Sequence, residues 1–152
     1  MKYFFCSFII LLNCFVVYSQ QWTPAQEAFL KEARYLSENQ NKIENVPRIL
    51  KLMRDTGITD MNKDGKIDCI DYSTLFRLYY GSNAHIMINK NPINGMNHMF
   101  IRIYYGGTKI LDIEPQGEPD RYSMGLIWGV KYNPYYNRDV TSQWSHVVGG
   151  MY

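Results

Sequence analysis

The stretch DCIDYSTLFRLYYG, residues 68–81, divides the chain into a helical N-terminal half and a C-terminal half with strand patterns. Asp68 stands at an N-cap position, apolar residues recur at helical spacing through Tyr79, and Gly81 follows as a stop signal. This pattern predicts a helix over residues 69–80. The first residue of that helix is Cys69, so a thiol is expected at a helix N-terminus.

Two more helices are predicted upstream of this stretch. Thr23-Pro24-Ala25-Gln26 combines an N-cap, a first-turn proline and a capping-box glutamine, which predicts a helix over residues 24–38. A second helix is expected to begin at Pro47 and to end at Gly57, with its apolar residues on one face.

Short alternating runs follow downstream, rich in Ile and Tyr and separated by turn residues. They predict antiparallel strands over residues 84–89, 98–105 and 108–114, and a short helix is expected near residues 141–146. Helices followed by strands indicate one α+β domain, in which the cysteine-bearing helix packs on a small antiparallel sheet.

Composition fits this single small domain. The 152 residues are 46% hydrophobic and 20% charged, which excludes a disordered chain. Lys2 is the only charge among the first 19 residues, and the apolar run that follows it is shorter than the roughly 20 residues of a membrane-spanning helix. Residues 1–19 are therefore predicted to be a signal peptide cleaved after Ser19, which makes the protein secreted or extracytoplasmic. Lipid attachment at Cys14 is the less favoured alternative.

The predicted mature domain, residues 20–152, has one more basic than acidic side chain, and its Lys and Arg residues are dispersed. No nucleic-acid partner is expected, and no stable membrane anchor remains after cleavage. Cys6 and Cys14 leave with the signal peptide, so Cys69 is the only thiol and cannot form an intramolecular disulfide. A buried core cysteine is one explanation for it, and a reactive thiol is the other.

Acidic residues immediately before this helix have the spacing of a calcium loop. Alternate oxygen ligands and a glycine at the sixth position suit Ca²⁺, which takes about 6–8 oxygens. The stretch resembles the loops of EF-hand and dockerin proteins, which implies a structural Ca²⁺. The expected ligands are Asp60, Asn62, Asp64, the Lys66 carbonyl, Asp68 and Asp71. The alternative is a polar turn that caps the next helix without metal.

The predicted order of Cys69, a histidine and carboxylates fits a catalytic triad. Unpaired N–H groups and the helix dipole favour the thiolate at Cys69. His98 begins a predicted strand, and Asp112 and Glu114 lie on the next one. A thiol, a base and an orienting carboxylate together support acyl transfer through a covalent intermediate.

The same residues resemble those of the transglutaminase-like thiol enzymes. Cys69-Ile70-Asp71-Tyr72-Ser73 opens a helix, Asn97-His98-Met99-Phe100 lies on a strand, and Ile113-Glu114-Pro115 follows. The resemblance implies a papain-like core, with Cys69 as nucleophile, His98 as general base and Glu114 as orienting carboxylate. Asp112 remains the alternative third member.

The register between the two predicted strands decides whether His98 shares a face with either carboxylate. A two-residue Gly106-Gly107 turn would pair His98 with Pro115 and separate it from both carboxylates. A three-residue loop, Tyr105-Gly106-Gly107, would pair His98 with Glu114 on one face. The sequence permits both registers.

Two other histidines carry weaker hypotheses. His85 and His146 could join Cys69 and His98 in a zinc site, but no pair has the usual close spacing, so this site is disfavoured. His146 is also an alternative base.

Taken together, these patterns predict a secreted thiol enzyme of transglutaminase-like type, a peptidase, amidase or acyl transferase acting on a protein or peptide. The alternative is a non-catalytic calcium-binding interaction module.

Overall fold

A computed structural model describes residues 23–90, 95–127 and 137–143. The chain divides into two compact units, residues 1–31 and residues 32–152. All the candidate residues that the structure describes belong to the second unit. The predicted signal peptide, residues 1–19, lies outside the described residues, as does His146. No helix within the described ranges is both long and apolar enough to cross a membrane.

The three predicted helices are confirmed, with bounds that agree to within one residue. They are α1 (Pro24–Glu38), α2 (Val46–Thr56) and α3 (Cys69–Tyr80), and a 3₁₀ turn (Ile43–Asn45) precedes α2. Thr23 and Gln26 form the predicted capping box, since each side chain accepts the other residue's N–H, at 3.2 and 2.8 Å. Gly57 ends α2 with a φ of 77°, a conformation that favours glycine.

The strands form one antiparallel sheet of five in the order β4-β3-β2-β1-β5. Three of them are the predicted ones, and β4 and β5 were missed because runs of two or three residues show no alternation. The bounds are β1 (Ala84–Lys90), β2 (Asn97–Tyr105), β3 (Lys109–Glu118), β4 (Arg121–Ser123) and β5 (Arg138–Asp139). A short helix α4 (Met124–Ile127) follows β4, and residues 141–143 are helical. The rest of the helix predicted near residues 141–146 lies outside the described ranges.

Both predicted registers of the β2–β3 hairpin are wrong. Tyr105 pairs with Lys109, so the connection is the three-residue loop Gly106-Gly107-Thr108, one position later than expected. Both glycines have positive φ, 54° and 85°, which lets Thr108 join the turn. Relative to the predicted three-residue loop, each β2 residue pairs with the β3 residue two positions further along the chain. The faces of the strands are therefore kept, and His98 and Glu114 share a face as diagonal neighbours.

Helices α2 and α3 pack on the sheet: α3 contacts β1, β2 and β3, and α2 contacts β3. One face of the sheet carries isoleucines that are at most 1% exposed: Ile86, Ile101, Ile103 and Ile113. On the opposite face Met87 and Phe100 form a buried cluster with Met124 of α4. His98 and Glu114 lie on this second face, beside the cluster. The observed fold is thus α+β with helices on a small antiparallel sheet.

Candidate active site

Cys69 is the first residue of α3, and its position is set by the cap of that helix. The Asp68 carboxylate accepts the Ile70 N–H at 2.8 Å, which begins the helix at Cys69. The thiol is partly buried, and its Sγ accepts the backbone N–H of Met99 at 3.4 Å. The Cys69 sulfur is therefore a point of contact between the N-terminus of α3 and the start of β2.

His98 lies next to Met99 and contacts two other candidate residues. Its Nε2 is 2.5 Å from Oε2 of Glu114, and the two side chains are only 12% and 6% exposed. A hydrogen bond also joins the His98 ring to Cys69. Since Nε2 is used for Glu114, Nδ1 is the ring nitrogen left for the thiol. The structure thus brings Cys69, His98 and Glu114 together.

The pKa of His98 reflects opposing effects. Burial disfavours the charged ring and lowers the pKa, but hydrogen bonds to Cys69 and Glu114, together with the charges of these two groups, outweigh burial. The net result raises the pKa of His98 to about 9. The ring is therefore an imidazolium at neutral pH, as a thiolate–imidazolium pair requires.

Glu114 is held by its second oxygen, and Asp112 has a different partner. Oε1 of Glu114 accepts the Gln116 N–H at 3.2 Å. Asp112 lies directly opposite Arg102 and accepts two hydrogen bonds from its guanidinium, both of 2.7 Å. The structure thus brings Glu114 to His98 and leaves Asp112 in a separate ion pair.

The predicted calcium loop folds onto its own backbone. Asp60 accepts the N–H groups of Asp64 and Gly65, at 3.2 and 2.7 Å. Asn62 accepts the Asp64 N–H at 3.1 Å, and Asp64 accepts the Lys66 N–H at 2.9 Å. The oxygens that would bind Ca²⁺ therefore already serve as acceptors for the loop.

Asp71 differs from the other expected ligands because it is fully buried. One oxygen accepts the Met61 N–H at 2.7 Å and the other accepts the Asp68 N–H at 2.9 Å. Asp68 and Asp71 complete a capping box at the start of α3. Within the described residues, no group of three or more His, Cys, Asp or Glu side chains is arranged to hold a metal ion. The oxygen donors suit Ca²⁺ in kind, but Asp71 acts as a helix cap.

His85 is separate from the triad. Its Nδ1 is 2.8 Å from Asp139 of β5, and its ring meets Tyr104 edge to face at 5.2 Å between ring centroids. It lies opposite Arg102 in the β1–β2 pairing, not opposite His98. The position of His85 lends no support to a zinc site with Cys69 and His98.

Two features of this site were not anticipated from the sequence. The Met99 N–H at the thiol depends on tertiary packing and leaves no sequence signal. Asn89 is the residue directly opposite His98 on β1, is buried, and donates a hydrogen bond to Asn137. Its polar side chain within the apolar β1 pattern is a signal that could have been noticed.

A cavity of about 190 Å³ is lined by sequence neighbours of Cys69 and Glu114, although none of Cys69, His98 and Glu114 lines it. It is lined by the end of α2, the segment after it, Tyr72 of α3 and residues 115–118 of β3. Tyr72 follows Cys69 by one helical turn, and Pro115 follows Glu114 directly.

Comparisons with protein-family models, curated proteins and solved structures returned no match.

Proposed function

We propose that this chain is an exported thiol enzyme of transglutaminase-like type with a papain-like core, which forms an acyl-enzyme on Cys69. One observation carries this proposal: His98 forms hydrogen bonds with both Cys69 and Glu114. A buried carboxylate that orients a histidine toward a thiol at a helix N-terminus is the arrangement that nucleophilic catalysis needs.

In the proposed reaction Cys69 and His98 start as a thiolate–imidazolium pair, and Sγ attacks the carbonyl carbon of a peptide or amide. The S–C bond forms, the C–N bond breaks, and His98 gives its proton to the leaving amine. Water or a second amine then gives a proton to His98 and takes the acyl group, which restores the thiolate–imidazolium pair. Glu114 keeps the His98 ring aligned and stabilises its charge throughout.

The oxyanion of the intermediate needs a hydrogen-bond donor, and we assign the Cys69 N–H to this role. The first N–H groups of a helix have no acceptor within the helix, and the helix dipole favours negative charge there. The nucleophile and its donor would then belong to the same residue.

Alkylation and turnover test the proposal together. Iodoacetamide should modify Cys69 in the folded protein at pH 7 at least tenfold faster than free cysteine, as measured by peptide mass spectrometry. His98→Ala should slow this reaction, and Cys69→Ser should abolish hydrolysis of an activated acyl ester. His85→Ala removes a histidine–carboxylate pair outside the site and should leave both rates unchanged. A Cys69 that resists alkylation, or reacts equally fast in His98→Ala, would overturn the enzyme proposal.

The inward fold of the loop supports a second proposal, that residues 60–71 bind a structural Ca²⁺. Asp60, Asn62, Asp64, Asp68 and the Lys66 carbonyl would supply oxygens, while Asp71 remains the helix cap. Since these oxygens already accept backbone N–H groups, affinity should be weak, in the range of roughly 10⁻⁴ to 10⁻³ M.

Calorimetry with millimolar CaCl₂ tests this site. We expect binding heat that Asp60→Ala removes and that Asp120→Ala, an exposed acid outside the loop, retains. Absence of heat in the unaltered protein rejects the ion. Calcium heat together with an unreactive Cys69 would instead favour a non-catalytic calcium-binding interaction module.

We also propose that residues 1–19 direct export. The exported protein should begin at Gln20 when its N-terminus is sequenced. A chain that keeps its first residues, or carries lipid at Cys14, would contradict this cleavage.

A further inference from the structure

The cavity has a lining of apolar and polar groups, with a charged pair at its rim. Leu50 and Met53 of α2 are each 2% exposed and, with Ile58, Tyr72 and Pro115, supply its apolar lining. At the rim, Arg54 forms an ion pair with Glu118, and both side chains are largely exposed. Because these charges compensate each other, the cavity offers no net attraction to a charged side chain.

Two contacts connect this cavity to the nucleophile. Tyr72 and Cys69 are three residues apart on α3 and therefore lie on the same side of the helix. Ile101 pairs with Ile113, so the same register continued by two residues brings Pro115 alongside Met99. The N–H of Met99 contacts the Cys69 sulfur. Tyr72 and Pro115 of the cavity lining therefore lie near Cys69 in α3 and in the sheet, on the side of Met99.

The volume limits what the cavity can hold. Apolar cavities of roughly 150 Å³ accept benzene, whereas drug-sized ligands occupy about 300 Å³ or more. A cavity of about 190 Å³ therefore suits one side chain and not a whole peptide. A leucine, methionine or phenylalanine side chain has a matching size.

We propose that this cavity is the specificity subsite of the enzyme, and that it takes the uncharged apolar side chain of the residue whose acyl group is transferred to Cys69. The inference rests on the proposed function, because it names the substrate class of the same site. It assigns specificity to α2 and the end of β3, which take no part in the bond-making steps.

Ester substrates that differ only in this side chain test the subsite. The p-nitrophenyl ester of N-acetyl-leucine should have a kcat/KM about 10- to 100-fold above that of the N-acetyl-glycine ester. Ile58→Trp should fill the cavity and bring this ratio close to one. Gln116→Trp, at an exposed position of the lining, is a second blocking variant should Ile58→Trp fail to fold. Ile110→Trp, at an exposed site on β3 outside the cavity, should keep the full ratio.

The outcomes separate the two proposals. Turnover that depends on Cys69 but does not distinguish leucine from glycine overturns the subsite alone, as does a preference that survives both blocking variants. If the protein shows no turnover that depends on Cys69, both the enzyme proposal and the subsite proposal are overturned. Binding gives an independent check: in Cys69→Ser, N-acetyl-leucinamide should shift the methyl NMR signals of Leu50 and Met53, and N-acetyl-glycinamide should not. Equal shifts with both amides contradict the subsite.

Discussion

Glu114 and Asp112 lie on the same face of β3, yet only one of them can act on His98. Glu114 Oε2 is 2.5 Å from the histidine, whereas both oxygens of Asp112 are bonded to Arg102. The two carboxylates therefore have different expected roles, one in chemistry and one in stability.

Substitution of each acid separates these roles. Glu114→Gln should lower the alkylation rate of Cys69 at pH 7 by about tenfold or more, because the imidazolium loses its compensating charge. Asp112→Asn should leave that rate unchanged and lower the free energy of unfolding by about 2 kcal/mol, because it weakens a largely buried ion pair. Urea unfolding measures the second effect. Equal effects of the two variants on alkylation would contradict the assignment.

The charge of His98 predicts two pH dependences. Its pKa is about 9 in the folded protein against an ordinary value of 6.5. The His98 contribution to stability is therefore fully present below pH 6.5 and is lost as pH rises through 9, by at most about 3 kcal/mol. Because the imidazolium donates the proton to the leaving group, kcat/KM should fall above pH 9.

Urea unfolding at pH 6 and at pH 9.5 checks the stability effect, and hydrolysis of an amide substrate, whose amine leaving group needs the proton, checks the rate over the same range. In His98→Ala the difference in stability between the two pH values should become smaller. An unchanged difference would assign the effect to another group.

Among the helices and strands, the start of α3 depends on one buried carboxylate. Asp71 bonds the backbone N–H groups of Met61 and Asp68, and so ties the preceding loop to the helix that carries Cys69. Asp71→Ala should lower the free energy of unfolding by about 2–4 kcal/mol, because it leaves two N–H groups without a partner. Asp64→Ala, at an exposed loop position, should cost less than about 1 kcal/mol without calcium. Guanidinium unfolding compares the two variants.

The end of β3 depends on a glycine. The β3–β4 pairing is irregular between Ile113 and Glu118, and a Cβ at Gly117 would lie 2.9 Å from backbone atoms of Glu114, Arg121 and Tyr122. Gly117→Ala should therefore move this backbone and lower the melting temperature by several degrees. A Cβ at Gly125 would come no closer than 3.7 Å to any neighbour, so Gly125→Ala is the matched control. Similar melting temperatures for both variants would contradict the close approach.

For the whole molecule, the proposed Ca²⁺ predicts a stabilisation that depends on ion concentration. At ten times a millimolar Kd, binding to the folded state adds about 1.4 kcal/mol, which corresponds to a rise of a few degrees in melting temperature. Differential scanning calorimetry with 10 mM CaCl₂ measures this rise, and Asp60→Ala should remove it. A rise of the same size in Asp60→Ala would assign the effect to ions acting elsewhere.

The sequence by itself determined the helices, the three longer strands and the position of Cys69 at the first residue of α3. The bounds Pro24–Glu38 and Cys69–Tyr80 agree with prediction because caps, prolines, glycines and apolar periodicity act within a few residues of one another. It also supplied Cys69, His98 and Glu114 as candidates, since their residue types and order suit acyl transfer.

Only the tertiary structure decided which of these candidates meet. The turn includes Thr108, so the register differs from both predictions, and Arg102 stands opposite Asp112 and removes that acid from the site. Local patterns cannot fix such choices, because glycine accepts several turn types and a shift of two residues keeps every side chain on its face. The contact of Cys69 with β2 likewise arises from packing between segments about 30 residues apart, for which the sequence holds no local signal.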